Sequence, residues 1–127
     1  MSAEQIDRHL QPFRNGVTKI CATLPLGPVG PPGGTFVIPK RVADQVIAKA
    51  GGDVSKLEAL LSLKPGTLGE HPIRIDIARP YGLRIPSGDE YGANRQWRPG
   101  GYTKSGIPEA TIDTPQPGEY WCSNIFK

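Results

Sequence analysis

The sequence contains no unbroken apolar run of about 18 residues, the length a membrane-crossing helix needs. Its first residues, MSAEQIDRHLQPF, carry acids and no apolar stretch, the wrong composition for a secretory signal. Cysteine is scarce: Cys21 and Cys122 are too few and too widely spaced for a disulfide scaffold or a zinc site. They read as two partly buried free thiols or as a single bridge tying the ends together. Histidine is equally sparse, so His9 and His71 make no metal set with them, and no metal is expected. Also missing are a Gly-x-Gly-x-x-Gly turn opening a helix, a P-loop, a His-Glu-x-x-His helix and a Gly-x-Ser-x-Gly elbow. These absences remove the standard dinucleotide, nucleotide, zinc-protease and serine-hydrolase constellations.

Backbone punctuation, in contrast, is abundant. Glycine (16) and proline (14) make up 30 of 127 residues, which argues for short elements joined by many turns and against a helical bundle. Hydrophobic residues at 37% and charged residues at 21% are a globular balance, and the length suits one domain with one core. The formal charge of +3 fits an anionic partner such as a nucleotide, RNA or an acidic protein, and equally an ordinary solvated surface.

Periodicity places the elements. Ile6, Leu10 and Phe13 predict a short helix over residues 3–13. Residues 24–34, LPLGPVGPPGG, exclude regular helix and central strand; residues 1–34 thus read as an N-terminal helix and a Pro/Gly-rich lead-in. Thr35 to Ile38 is β-prone. Val42, Ala43, Val46, Ile47 and Ala50 form a helical stripe closed by Gly51-Gly52. Asp53 N-caps a second helix with Val54, Leu57, Leu60 and Leu61 on one face. Ile73, Ile75 and Ile77 alternate with polar residues and predict a strand. Residues 107–112 and 119–126 read as closing strands around a Pro115–Gly118 turn. The fold class expected is a single α+β domain over 1–127, with a small, strongly bent, mostly antiparallel sheet and two or three short helices.

Chemistry is expected between Arg84 and Glu109. A loop of this length is uncommon in a small domain without a function. Glycines let a backbone approach a ligand without a Cβ in the way. Arg84, Arg95 and Arg98 offer forked donors for phosphate, and Trp97 and Tyr102 offer stacking faces. Glu109 sits where the loop re-enters a strand and can hold a carboxylate rigidly at a cleft edge. Each residue has a plain alternative, Trp97 as a core anchor and Glu109 as a surface ion-pair partner; the clustering favours an anion-binding cleft. His9 and His71 read as solvated or structural, and His71, before Pro72, could also face that cleft as an acid or base.

Two stretches carry a family resemblance. Residues 30–39, GPPGGTFVIP, and Gln96-Trp97-Arg98-Pro99-Gly100-Gly101-Tyr102-Thr103 followed by Glu109 resemble segments of the necrotizing-toxin type of NAD-glycohydrolase. That family has an ADP-ribosyltransferase-like fold and supplies C-terminal toxin domains of bacterial polymorphic toxins. The family carries glutamine where this chain places Glu109, and an arginine where Leu24-Pro25-Leu26 stands here. The resemblance implies an antibacterial effector that cleaves the nicotinamide–ribose bond of NAD, by hydrolysis or ADP-ribosyl transfer, with NAD as substrate and no bound cofactor. Glu109 and Gln96 would be catalytic, and Arg84, Arg95, Arg98, Trp97, Gly100, Gly101, Tyr102 and Thr103 would bind substrate. It further implies secretion within a larger effector, action in a target cell's cytoplasm during interbacterial competition, and a cognate immunity protein as partner, with no membrane association. Two competing readings remain: a toxin ribonuclease with His71 as acid, and a non-enzymatic protein-binding module.

Overall fold

The computed structural model describes residues 2–30, 34–85, 103 and 106–126. Among them the chain is α+β, with five strands in one sheet of order β4-β2-β1-β3-β5 and every strand pair antiparallel. The strands are β1 (Val17–Cys21), β2 (Thr35–Pro39), β3 (Ile73–Ile77), β4 (Ala110–Ile112) and β5 (Trp121–Asn124). The helices are α1 (Ala3–Leu10), continued by a 3-10 turn over Gln11–Asn15, α2 (Lys40–Ala50) and α3 (Val54–Leu60).

Local chemistry explains most of these boundaries. Ser2 and Gln5 form a capping box that starts α1. Pro12 shifts the next residues into the 3-10 turn. Gly51 ends α2 in the left-handed region at φ 59°, and the Asp53 carboxylate accepts from Lys56 N to start α3. Strands β4 and β5 are shorter than the closing strands expected over residues 107–112 and 119–126. The strand at the centre of the sheet, β1, lies inside the residues expected to be helix and lead-in.

The sheet is covered on both faces. On one, Val17, Val37, Ile73, Ile75, Ile77, Ala110 and Ile112 pack with Leu10 and Phe13 of the N-terminal helical segment and with Val29 of the Pro/Gly-rich stretch. Val29 anchors this part of the chain to the sheet: it is 2% exposed, and its N–H donates to Pro115 O. On the other face, Ile38 packs with Ala43, Val46, Ala50, Leu57, Leu61 and Leu68 under α2 and α3. Arg74 joins this helical layer to the sheet, pairing with Asp44 on α2 at 2.8 Å and with Asp76 on its own strand at 2.9 Å.

Cys21 and Cys122 are half-buried free thiols. Cys21 lies opposite Ile73 and Cys122 opposite Ile75, so β3 runs between them. Two strand spacings put their backbones roughly 10 Å apart, beyond the ~7 Å that a bridge tolerates. The bridged alternative is not formed.

Candidate functional site

The site begins where the sheet divides. Strands β1 and β3 pair along all five residues, but β1 and β2 pair only at Val17–Pro39 and Thr18–Ile38. Beyond that point β2 stays with β4, and a recess opens in the fork between β1 and β2. Its volume is about 170 Å³, and Thr18, Lys19, Phe36, Leu61, Thr103 and Glu109 are among the residues that line it.

Lys19 spans the fork. Its Nζ donates to Phe36 O at 3.2 Å, taking the place of the main-chain donor that continued pairing would supply. Burial lowers its pKa, an effect that Cys21 and Glu109 partly oppose. An ammonium that has given up part of its water for one carbonyl holds its proton less tightly than a solvated one.

Glu109 precedes the first residue of β4, so the strand fixes its backbone while its side chain turns into the recess. Its Oε1 is buried and has no hydrogen-bond partner among the described residues. Desolvation pushes its pKa from 4.5 up to about 7, and Lys19 pulls in the other direction without overcoming it. The carboxyl therefore lies near half ionisation at neutral pH, the condition for exchanging a proton in either direction. His9 meets the same residue from α1: its Nε2 donates to Glu109 O at 3.1 Å.

The expected site residues are distributed unevenly. Glu109 and Thr103 line the recess together; Thr103 is 4% exposed and closes a turn in which its N–H donates to Ile107 O and Ile107 N donates to Thr103 Oγ1. Arg84 is at the far side of β4, its main chain paired with Thr111, its Nη1 on Asp113 Oδ1 at 3.0 Å and on Gly82 O. It lies against the end of the Pro/Gly-rich stretch: at Gly34, φ +135°, a Cβ would sit 2.5 Å from Arg84 Nη2 and 2.9 Å from Ile112 O. Only glycine fits there. His71 is exposed before β3 and does not line the recess. Gln96, Arg95, Arg98, Trp97, Gly100, Gly101 and Tyr102 lie outside the described residues.

Two residues at the site were not anticipated. Lys19 stands in the strand that periodicity missed, and His9 was read as solvated or structural. For His9 the available signal was its place on the apolar stripe of Ile6, Leu10 and Phe13; it is 8% exposed with its ring 5.6 Å from that of Phe13. Among the described residues no group of three His, Cys, Asp or Glu is placed to hold a metal ion, and no helix is long and apolar enough to cross a membrane. No protein-family model, curated protein or solved structure gives a significant match to the chain.

Proposed function

We propose that this domain acts on a ribosyl group and cleaves the nicotinamide–ribose bond of NAD, with Glu109 as the working carboxyl. The observation that carries this reading is the buried Glu109 Oε1, an acceptor with no donor among the described residues, facing a recess of about 170 Å³. A ribose hydroxyl supplies the missing donor. The recess is smaller than the roughly 300–1,000 Å³ of a site that encloses a whole drug-sized ligand. It suits one ring, with the remainder of the dinucleotide lying outside.

The chemistry then needs little else. Nicotinamide leaves as a neutral molecule from a cationic substrate, so its departure requires no general acid. As the bond breaks, positive charge moves onto the ribose, and a fixed carboxylate beside it is favoured over bulk water. Glu109, half ionised in the free protein, becomes fully ionised when that charge approaches, so it binds the transition state more tightly than the resting ligand. Water as acceptor gives hydrolysis; a protein or nucleic-acid group gives ADP-ribosyl transfer. Under this reading the domain is an effector of interbacterial competition, with a cognate immunity protein that covers the cleft.

A second reading, RNA cleavage, draws support from one observation: a carboxyl with a pKa of about 7 suits a general base for a ribose 2′-hydroxyl, with Lys19 as the cation near phosphate. It also needs an acid for the leaving oxygen, and the expected His71 does not line the recess. The NAD reading therefore stands first. The test is NAD consumption by the purified domain beside Glu109→Gln, matched for folding by thermal melting. Loss of NAD that falls by at least about 10²-fold in the variant is expected, the scale of removing one transition-state partner. No turnover of NAD, with total RNA degraded instead, overturns it for the second reading. A cellular effect that survives Glu109→Gln would point to a binding module.

A further inference from the structure

We propose that His9 is a positioning residue for Glu109, holding that residue's backbone at the depth that keeps its carboxyl inside the fork. The inference rests on Glu109 being the working carboxyl of the proposed function.

Regular pairing of β4 with β2 begins at Ala110, opposite Val37. The Glu109 carbonyl is thus one step outside that ladder, between Ala110 and the bridge residue Pro108. His9 Nε2 donates to that carbonyl at 3.1 Å from a residue 100 positions away. The donor is itself fixed. His9 is 8% exposed, it lies one turn before the fully buried Phe13, and α1 is secured by its capping box. An imidazole placed this deep in an apolar stripe costs desolvation unless it is hydrogen-bonded, and this bond offsets part of that cost. The carbonyl gains a partner in the same contact.

The consequence falls on the carboxyl of the same residue. Burying Glu109 is unfavourable for its charged form, and any freedom of the backbone would be spent in bringing the carboxyl out to water. Among the described residues that face Glu109, Lys19 on β1, with Cys21 beside it, favours the ionised form but less than burial opposes it, and Thr18, Thr103, Leu61 and Leu63 carry no charge. The His9 bond is the polar contact from the N-terminal helix that holds the residue in place.

The experiment follows the Glu109 side-chain carboxyl by carbon NMR through a pH titration, with Glu109→Gln to assign the signal. The wild-type midpoint is expected near 7. In His9→Phe, which keeps the ring and removes the donor, the midpoint should fall by about one pH unit, tenfold in the ionisation equilibrium. His9→Gln, whose amide can donate to the same carbonyl, should restore most of it. With NAD as substrate, His9→Phe should lower kcat more than it raises KM. A folded His9→Phe protein with an unchanged midpoint overturns the proposal. So does a His9→Gln midpoint as low as the ordinary carboxylate value, a result that remains readable if the Phe variant fails to fold. The titration needs no substrate, so a domain that leaves NAD untouched but shows the His9 dependence would refute the function and leave the positioning role standing.

Discussion

Two inward-turned glutamates, Glu58 buried and Glu109 half-buried, are treated in opposite ways. Glu58, on α3, is 4% exposed, and each carboxylate oxygen accepts a main-chain bond: Oε1 from Gly66 N at 3.1 Å and Oε2 from Leu68 N at 2.8 Å. Its role is architectural, since those two bonds fold the Lys64–Leu68 turn back onto the helix. Glu109 is also turned inward, yet its Oε1 has no partner among the described residues and its pKa stands near 7. Burying a polar group without a partner is among the more expensive arrangements a fold can keep. Where the same chain satisfies one carboxylate fully and leaves another short, the second is the one to examine for function.

The sharpest way to break that contrast is through the pH dependence of stability. Between the unfolded value of 4.5 and the folded value of about 7, the native protein binds more protons at Glu109 than the unfolded chain does. The slope of unfolding free energy with pH is then negative for this group: stability is highest below 4.5, falls through the window, and levels off above 7. The whole difference is about 3 kcal/mol. Glu109→Gln removes it. The variant should match the wild type near pH 4 and exceed it at pH 8, with urea midpoints measured side by side so that other carboxylates cancel. Equal stabilities at both ends would mean that Glu109 is solvated in the folded protein, and the comparison with Glu58 would collapse.

Much of this architecture can be read from residues before any coordinates. The Ile73-Ile75-Ile77 alternation, the Val42–Ala50 stripe closed by Gly51, and the Asp53 cap each have one dominant local cause, and each element forms where that cause places it. Strand β1 does not announce itself. In Val17-Thr18-Lys19-Ile20-Cys21 the central lysine breaks the apolar alternation, because its aliphatic stem lies with the inward residues while its ammonium crosses to Phe36 O. The position of Glu109 at the start of a closing strand is legible from the glycine-rich loop that precedes it. Its partners are not, since Lys19 and His9 reach it only through the crossing of distant segments.

A smaller effect tests the other half of the contrast. Glu58→Gln keeps the shape but turns an amide NH2 toward one of the two main-chain donors, losing one bond and setting donor against donor. The cost should be about 2 kcal/mol, within the range for leaving a buried donor unsatisfied. Activity per folded molecule should not change, because Glu58 does not line the recess. A variant as stable as the wild type would show that the Lys64–Leu68 turn holds itself.

The smallest shift expected concerns Lys19, and it separates burial from charge as the source of the unusual carboxyl. Desolvation raises the Glu109 pKa and Lys19 lowers it, with desolvation the larger effect. Lys19→Met removes the positive end, keeps the stem in the fork and makes the surroundings drier. Both changes favour the protonated carboxyl, so the NMR midpoint should move upward from 7, by about one pH unit or less because Lys19 is the smaller of the two influences. Activity at pH 7 should fall with the ionised fraction and recover part of its loss at higher pH. A downward movement would mean that water enters the fork once the Lys19 bond to Phe36 O is gone, making the lysine chiefly a strut between β1 and β2. The upward movement makes it the electrostatic counterweight to burial, the element that keeps Glu109 near neutrality where a buried carboxyl alone would remain protonated.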